Sequence, residues 1–167
     1  MSTIRVNRFE NTSSVGYGCV VQVVNTQTGA VATGTTTIPT DDTIPQNTEG
    51  TEFMTLAITP KSATNKLRIQ VTAIWAHTIG TSYVTTALFQ DSTANALAAA
   101  VYNTATANHA YTTTFTHYMT AGTTSSTTFK VRIGSGSAGT LTFNGSSGAR
   151  NLGGVLASSI TIEEIQV

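Results

Sequence analysis

The 167-residue chain predicts an all-β fold, an antiparallel sandwich or barrel. Three observations lead there. Apolar and polar residues alternate over most of the length, the two-residue period of a strand covered on one face, and the helical period is nearly absent. Turn-forming clusters of glycine, proline and serine recur between the alternating stretches, as in folds of many short strands. Charged residues make up only 10% of the chain, whereas 35 residues are threonine, a β-branched, uncharged side chain suited to the outer face of a strand.

Residues 1–18 differ from the rest. Ile4, Val6 and Phe9 stand as spaced apolar points among polar and basic neighbours, followed by a Ser/Gly stretch. This pattern reads as an extended N-terminal arm that docks on a neighbouring chain, with a frayed terminus as the alternative. The sandwich then occupies residues 19–167. Residues 19–24 form a near-continuous β-branched run in which Cys19 is expected as a small buried hydrophobe. Residues 52–59 place Met54, Leu56 and Ile58 on one face. In Lys66–His77, KLRIQVTAIWAH, Leu67, Ile69, Val71, Ala73 and Trp75 share one face and Lys66, Arg68, Gln70 and Thr72 the other. Residues 83–90 put Tyr83, Ala87 and Phe89 together. Residues 94–101, ANALAAAV, have helical composition but too little length, and predict a short strand or an irregular turn. Residues 113–120 align Phe115, His117 and Met119, and residues 127–133 align Phe129, Val131 and Ile133. Residues 140–143 and 155–167 complete the set. In the last, Glu163–Glu164 breaks the alternation, so one carboxylate must face the core side unless a bulge resets the register.

Net charge is zero and the eight Lys and Arg residues are scattered, so no basic face invites nucleic acid. The N-terminus lacks the apolar region of a secretory signal, and no apolar run has the length of a membrane span, so cytosolic synthesis without membrane insertion is expected. Low charge costs a monomer solubility but suits a protein destined for a fixed assembly. A lone cysteine supports neither a disulfide framework nor a metal cluster.

GSGSAG, residues 134–139, matches the glycine pattern of a dinucleotide-binding turn. That site needs a strand before it and a helix after it. Here FKVRI precedes and TLTFNG follows, both strand-like, so the glycines are expected to join two antiparallel strands by supplying positive φ. His77, His109 and His117 lack metal-ligand spacing, and Asp41–Asp42 sits in a Pro/Thr-rich loop without calcium-loop spacing. No Ser-His-Asp or paired-carboxylate constellation stands out. The expectation is a non-enzyme with no catalytic residues, no cofactor and no metal. The polar segment YNTATANHAY lies between two predicted strands. Its Tyr102, Asn103, Asn108, His109 and Tyr111 form a candidate surface-binding loop, because aromatic rings stack on sugars and amides bond their hydroxyls. The alternative is that Tyr102 and Tyr111 close the end of the core.

Three stretches taken in order carry a family resemblance. TIRVNRFENTSS resembles the leader of bacteriophage fibre-like, or tail-fibre, virion proteins. LAITPKSATNKLRIQVTAIW resembles a stretch that recurs in the same proteins, I-T-P-x-S-A-x-N-K-L-x-I-x-V, and MTAGTTSSTTFKVRIGSGSAGTLTFNG with the terminal SSITIEEI fits the same pattern. The resemblance implies a jelly-roll β-sandwich of the trimeric tumour-necrosis-factor and complement-head type, built as a homotrimer with an N-terminal attachment segment. The sequence departs from a long fibre in having no shaft repeat.

The expected function is therefore a structural protein of the phage virion. It would be a short fibre-like homotrimer attached to tail, neck or capsid proteins through Ile4, Val6 and Phe9, with loops that touch the host surface, including its glycans. Two alternatives stand beside it: a capsid decoration (cement) protein that stabilises the head, and a carbohydrate-binding module without virion attachment.

Overall fold

A computed structural model describes residues 18–167. The predicted attachment residues Ile4, Val6 and Phe9 lie outside the described residues. Strand β1 is Val20–Thr28, β2 Ala32–Gly34, β3 Thr51–Ile58 and β4 Lys66–His77. Strand β5 is Tyr83–Gln90, β6 Ala98–Asn103, β7 Ala110–Thr120 and β8 Thr127–Ser135. Strands β9 (Leu141–Phe143), β10 (Gly145–Ser146) and β11 (Ala149–Arg150) are short; a single 3-10 turn, Leu152–Gly154, precedes β12 (Ser158–Ile165).

Two main antiparallel sheets form, and β10 and β11 pair as a separate two-stranded ribbon. In the first, β4 is flanked by β7 on one side and by β12 and then β9 on the other; β1 lies outside β12 and β2 outside β9. The second sheet has the order β3-β8-β5-β6. Counted in chain order, the eight principal strands run first, eighth, third, sixth in one sheet and second, seventh, fourth, fifth in the other. This is the order of a jelly roll. Segment 94–101 resolves as an irregular stretch leading into β6, the edge strand of the second sheet.

The alternation seen in the sequence places the core between the sheets. Leu67, Ile69, Val71, Ala73 and Trp75 of β4 meet Phe129, Val131 and Ile133 of β8, joined by Met54, Ile58, Val84, Leu88, Ile160 and Ile162. Burying each large side chain contributes about 1.5–3 kcal/mol. The Trp75 indole N–H donates to Thr113 Oγ1 at 3.0 Å, so the largest core residue leaves no polar group unmet.

Three expectations change. Ala87 and Phe89 do point together, but away from the main core. They lie on the outer face of the second sheet under Ile38, part of a Thr/Pro-rich strap that runs from β2 to β3, while Tyr83 is exposed. Cys19 is exposed at the start of β1 rather than buried, because the sandwich begins one residue later. The glycines of GSGSAG work by size and not by positive φ. A Cβ on Gly134 would lie 2.6 Å from the Ile38 backbone nitrogen, and one on Gly139 would strike the buried His77 ring. The segment also crosses from the second sheet to the first, from β8 to β9, instead of joining neighbours in one sheet.

Candidate functional site

The twelve residues of β4 span about 36–40 Å at roughly 3.3 Å per residue, which gives the sandwich two well-separated ends. The N-terminal segment enters at one of them. The Cys19 carbonyl accepts from Gln166 N at 2.9 Å, and Gly18 lies against Ile165, where an added Cβ would be 2.7 Å from the Ile165 side chain. Beside this entry the turn between β3 and β4 wraps around Glu164. Of the adjacent glutamates, Glu163 points outward to pair with Arg68, and Glu164 points inward opposite Leu67. The Glu164 carboxylate is fully buried and accepts from Lys61 N (2.8 Å), Ser62 N (3.1 Å) and Asn65 Nδ2 (2.6 Å). Burial alone would raise its pKa. The Lys61 amide, Asn65, the Ser62 amide and the Lys61 charge together outweigh burial and hold it below the ordinary carboxylate value.

At the opposite end the strand termini deliver a cluster of loops: 78–82, 104–109, 136–140 and 144–157. The binding-loop residues named from the sequence are here. Tyr111 projects inward from β7 onto Trp75, with ring centroids 5.5 Å apart, and Tyr102 of β6 packs on both, 4.9 Å from Tyr111 and 6.2 Å from Trp75. Their environments differ. The Tyr111 hydroxyl accepts from Ala105 N and Thr106 N, both at 3.1 Å, so this ring closes the core and holds the loop. Tyr102 remains 43% exposed.

The 104–109 loop is pinned throughout. Buried Thr104 exchanges backbone bonds with Thr81 and Ser82, and its hydroxyl accepts from Ser82 N at 3.0 Å. Asn108 N donates to His77 O at 2.7 Å, and the Asn108 carbonyl accepts from Ser146 Oγ of the β10–β11 ribbon. Asn108 takes a left-handed φ of 60°, a conformation asparagine tolerates better than most residues. The exposed side chains of Asn103, Asn108 and His109 make no hydrogen bond among the described residues.

The other histidines lie elsewhere. His77 is buried and its Nδ1 sits 3.1 Å from Ile79 O; His117 is half-buried on β7, where burial pushes its pKa down. Asp41 bonds the Thr43 amide and hydroxyl within its own turn, which lowers its pKa. It borders an open groove of about 410 Å³ with Asp42, Ile44 and Ala96–Ala99 on the flank of the second sheet. Among the described residues no group of three or more His, Cys, Asp or Glu could hold a metal ion, and no helix is long and apolar enough to cross a membrane.

No protein family and no curated protein sequence matches the chain. Solved structures are similar at the level of architecture. The VP2 subviral particle of infectious bursal disease virus aligns over 97% of this chain and 43% of that one, with 11% identity and a TM-score of 0.43. Eiger TNF from S. frugiperda aligns over 86% and 93%, with 7% identity and a TM-score of 0.45. The Gx strain of infectious bursal disease virus gives 98% and 42%, 12% identity and 0.40. The chain thus spans less than half the length of the infectious bursal disease virus chains it resembles. The strand order assigns the jelly roll by itself.

Proposed function

We propose that this chain is a non-enzymatic structural protein of a bacteriophage virion, a short fibre-like homotrimer. Residues 1–18 hold it to the particle and the loop cluster at the other end faces outward. The observation that carries this reading is polarity. The arm enters beside Gln166, and the end of β6 that carries Tyr102 and the pinned loop that carries Asn108 and His109 lie a full strand length away. A chain anchored at the first end presents the second.

The first sheet supports self-association. Its outer face displays Thr112, Thr114, Thr116 and Thr120 of β7, with Gln70 and Thr72 of β4 and Thr161 of β12 beside them. Arg68 and Glu163, opposite each other there, neutralise one another. A flat face with few charges and many hydroxyls is inexpensive to desolvate against a copy of itself, and packing sandwich against sandwich shields the open edges of β6 and β7. Deleting residues 1–18 tests the attachment. The expected product is a folded trimer, by sedimentation, that no longer incorporates into particles; a truncated chain that still incorporates contradicts the reading.

A further inference from the structure

We infer that the cradle around Glu164 is a latch that holds residues 19–23 against the sandwich, and that neutralising this one carboxylate opens the latch while the sandwich stays folded. This device belongs to the fold and stands independently of the virion reading.

All nine residues of β1 are half-buried or exposed, so apolar burial attaches this strand less firmly than β4, β8 or β12, which fill the core. Its ladder with β12 and its polar contacts do the holding, and the contacts fall in two groups. In the second half of the strand the Asn25 side chain donates to Thr161 Oγ1 at 2.8 Å, and Asn144 Nδ2 donates to the Thr28 carbonyl at 2.7 Å. In the first half the contacts lead to Glu164 and to the turn that wraps it. Lys61 Nζ donates to the Val21 carbonyl at 2.7 Å. The Gln22 side-chain amide, turned so that its nitrogen faces acceptors, donates to Glu164 Oε2 and to the Thr59 carbonyl, both at 3.2 Å. Ahead of them the Cys19 carbonyl is held by Gln166, an exposed residue beyond the end of β12. The ladder itself is interrupted here, because the β1–β12 register shifts between Val20 and Gln22. A strand held in this way can open at its start and stop at Asn25.

The cradle suits the charged form. N–H groups of Lys61, Ser62, Asn65 and Gln22 converge on the two oxygens. An ionised carboxylate only accepts, and so matches a ring of donors; a neutral carboxyl brings an O–H of its own among them. Losing the charge loosens the 60–65 turn, and with it the backbone that places the Lys61 ammonium on Val21. The bonds from Ala121 N to the Asn65 carbonyl and from Gly122 N to the Ala63 carbonyl tie the turn to the chain beyond β7, so it shifts without detaching.

Lys61 is the cation that faces Glu164. Lys66 turns to Thr120, and Arg68 pairs with Glu163 on the outer face. Val20–Thr28 carry no charge, and Cys19 and Val167 are exposed beyond the cradle. Burial raises the Glu164 pKa, but the Lys61 amide, Asn65, the Ser62 amide and the Lys61 charge outweigh it and hold the group below the ordinary 4.5. The latch is therefore closed above that pH and opens as pH falls through the folded value. Opening residues 19–23 frees about 16 Å of chain at roughly 3.3 Å per residue.

The test is hydrogen–deuterium exchange of the full chain, read by mass spectrometry and corrected for the intrinsic rate at each pH. At neutral pH Glu164→Gln is expected to speed exchange about tenfold or more in residues 20–23 and 60–65, the effect of losing hydrogen bonds to a charged acceptor. Residues 67–75 and 127–133 stay within about twofold of the parent chain, since only a local segment opens. The parent chain at about pH 3 reproduces that pattern, and Glu164→Gln shows no further acid step there. Lys61→Met keeps the stem and the backbone amide, removes the ammonium, and speeds residues 20–23 several-fold without residues 62–65; it serves also where Glu164→Gln fails to fold. Unchanged exchange at 20–23 in either variant, core segments that exchange in step with 20–23, or an acid response there that persists in Glu164→Gln each overturns the inference.

Discussion

The two ends of the sandwich use hydrogen bonds in opposite ways. At the end where the N-terminal segment enters, side chain and backbone satisfy each other: the buried Glu164 carboxylate takes up the amides of Lys61 and Ser62 and the side chain of Asn65. At the far end the backbone is also hydrogen-bonded, yet the exposed side chains of Asn103, Asn108 and His109 make no hydrogen bond among the described residues. Strain is divided unevenly too. Among the described non-glycine residues with positive φ, Thr81, Asn108, Asn144, Ser147 and Leu152 sit at the far end and Asp91 at the entry end. Leu152 and Val155 are 72% and 84% exposed there. One end is tied together through a buried carboxylate, and the other leaves polar side chains exposed to solvent.

The largest break in this contrast comes from Glu164→Ala. It leaves the part-buried Lys61 and Ser62 amides and the buried Asn65 side chain without their acceptor and should cost about 3 kcal/mol in denaturant unfolding. The same carboxylate makes stability depend on pH. Its folded-state pKa lies below the ordinary value of 4.5, so its contribution is complete above that value and is lost as pH falls through the folded pKa. Glu164→Gln should flatten that acid limb, read as the unfolding midpoint between neutral pH and pH 3. Next comes the strap over the second sheet. Gly134→Ala drives a Cβ into the Ile38 backbone and should destabilise by about 1–3 kcal/mol. Thr104→Val removes the acceptor for Ser82 N and should cost about 1 kcal/mol, with faster hydrogen exchange confined to loops 78–82 and 104–109. The smallest effect has the opposite sign. Leu152→Gly relieves a left-handed φ of 50° at an exposed position and should raise stability by about 0.5 kcal/mol, net of the added chain entropy.

The sandwich was legible because alternation is a local signal. Lys66–His77 announced its buried and exposed faces residue by residue, and the structure keeps them. Alternation says which residues share a face, not what covers it, and so Phe89 was legible as apolar but its cover was not. The Ile38 strap is Thr- and Pro-rich with no period of its own, and it meets Phe89 only in three dimensions. The Glu164 site was half legible. The doublet with Glu163 forces one carboxylate inward, but its partners at Lys61–Asn65 lie about a hundred residues away in sequence. Those partners fall in the TPKSATNK stretch, and Glu164 falls in the terminal SSITIEEI. Two motifs that look independent in the sequence are halves of one hydrogen-bonded cradle. At the far end the residues of the loop were legible as chemistry. Their division of labour, with Tyr111 holding the loop and Tyr102 exposed, depends on which ring hydroxyl meets the loop amides, and only the fold decides that.

The central claim is that one end of the molecule attaches and the other faces out. The most direct measurement is immunogold labelling of intact phage particles with an antibody to the 144–157 loop. The account predicts gold at the tail or neck, on the outer tip of a short projection. Gold spread evenly over the head, or no gold on any particle, would contradict it.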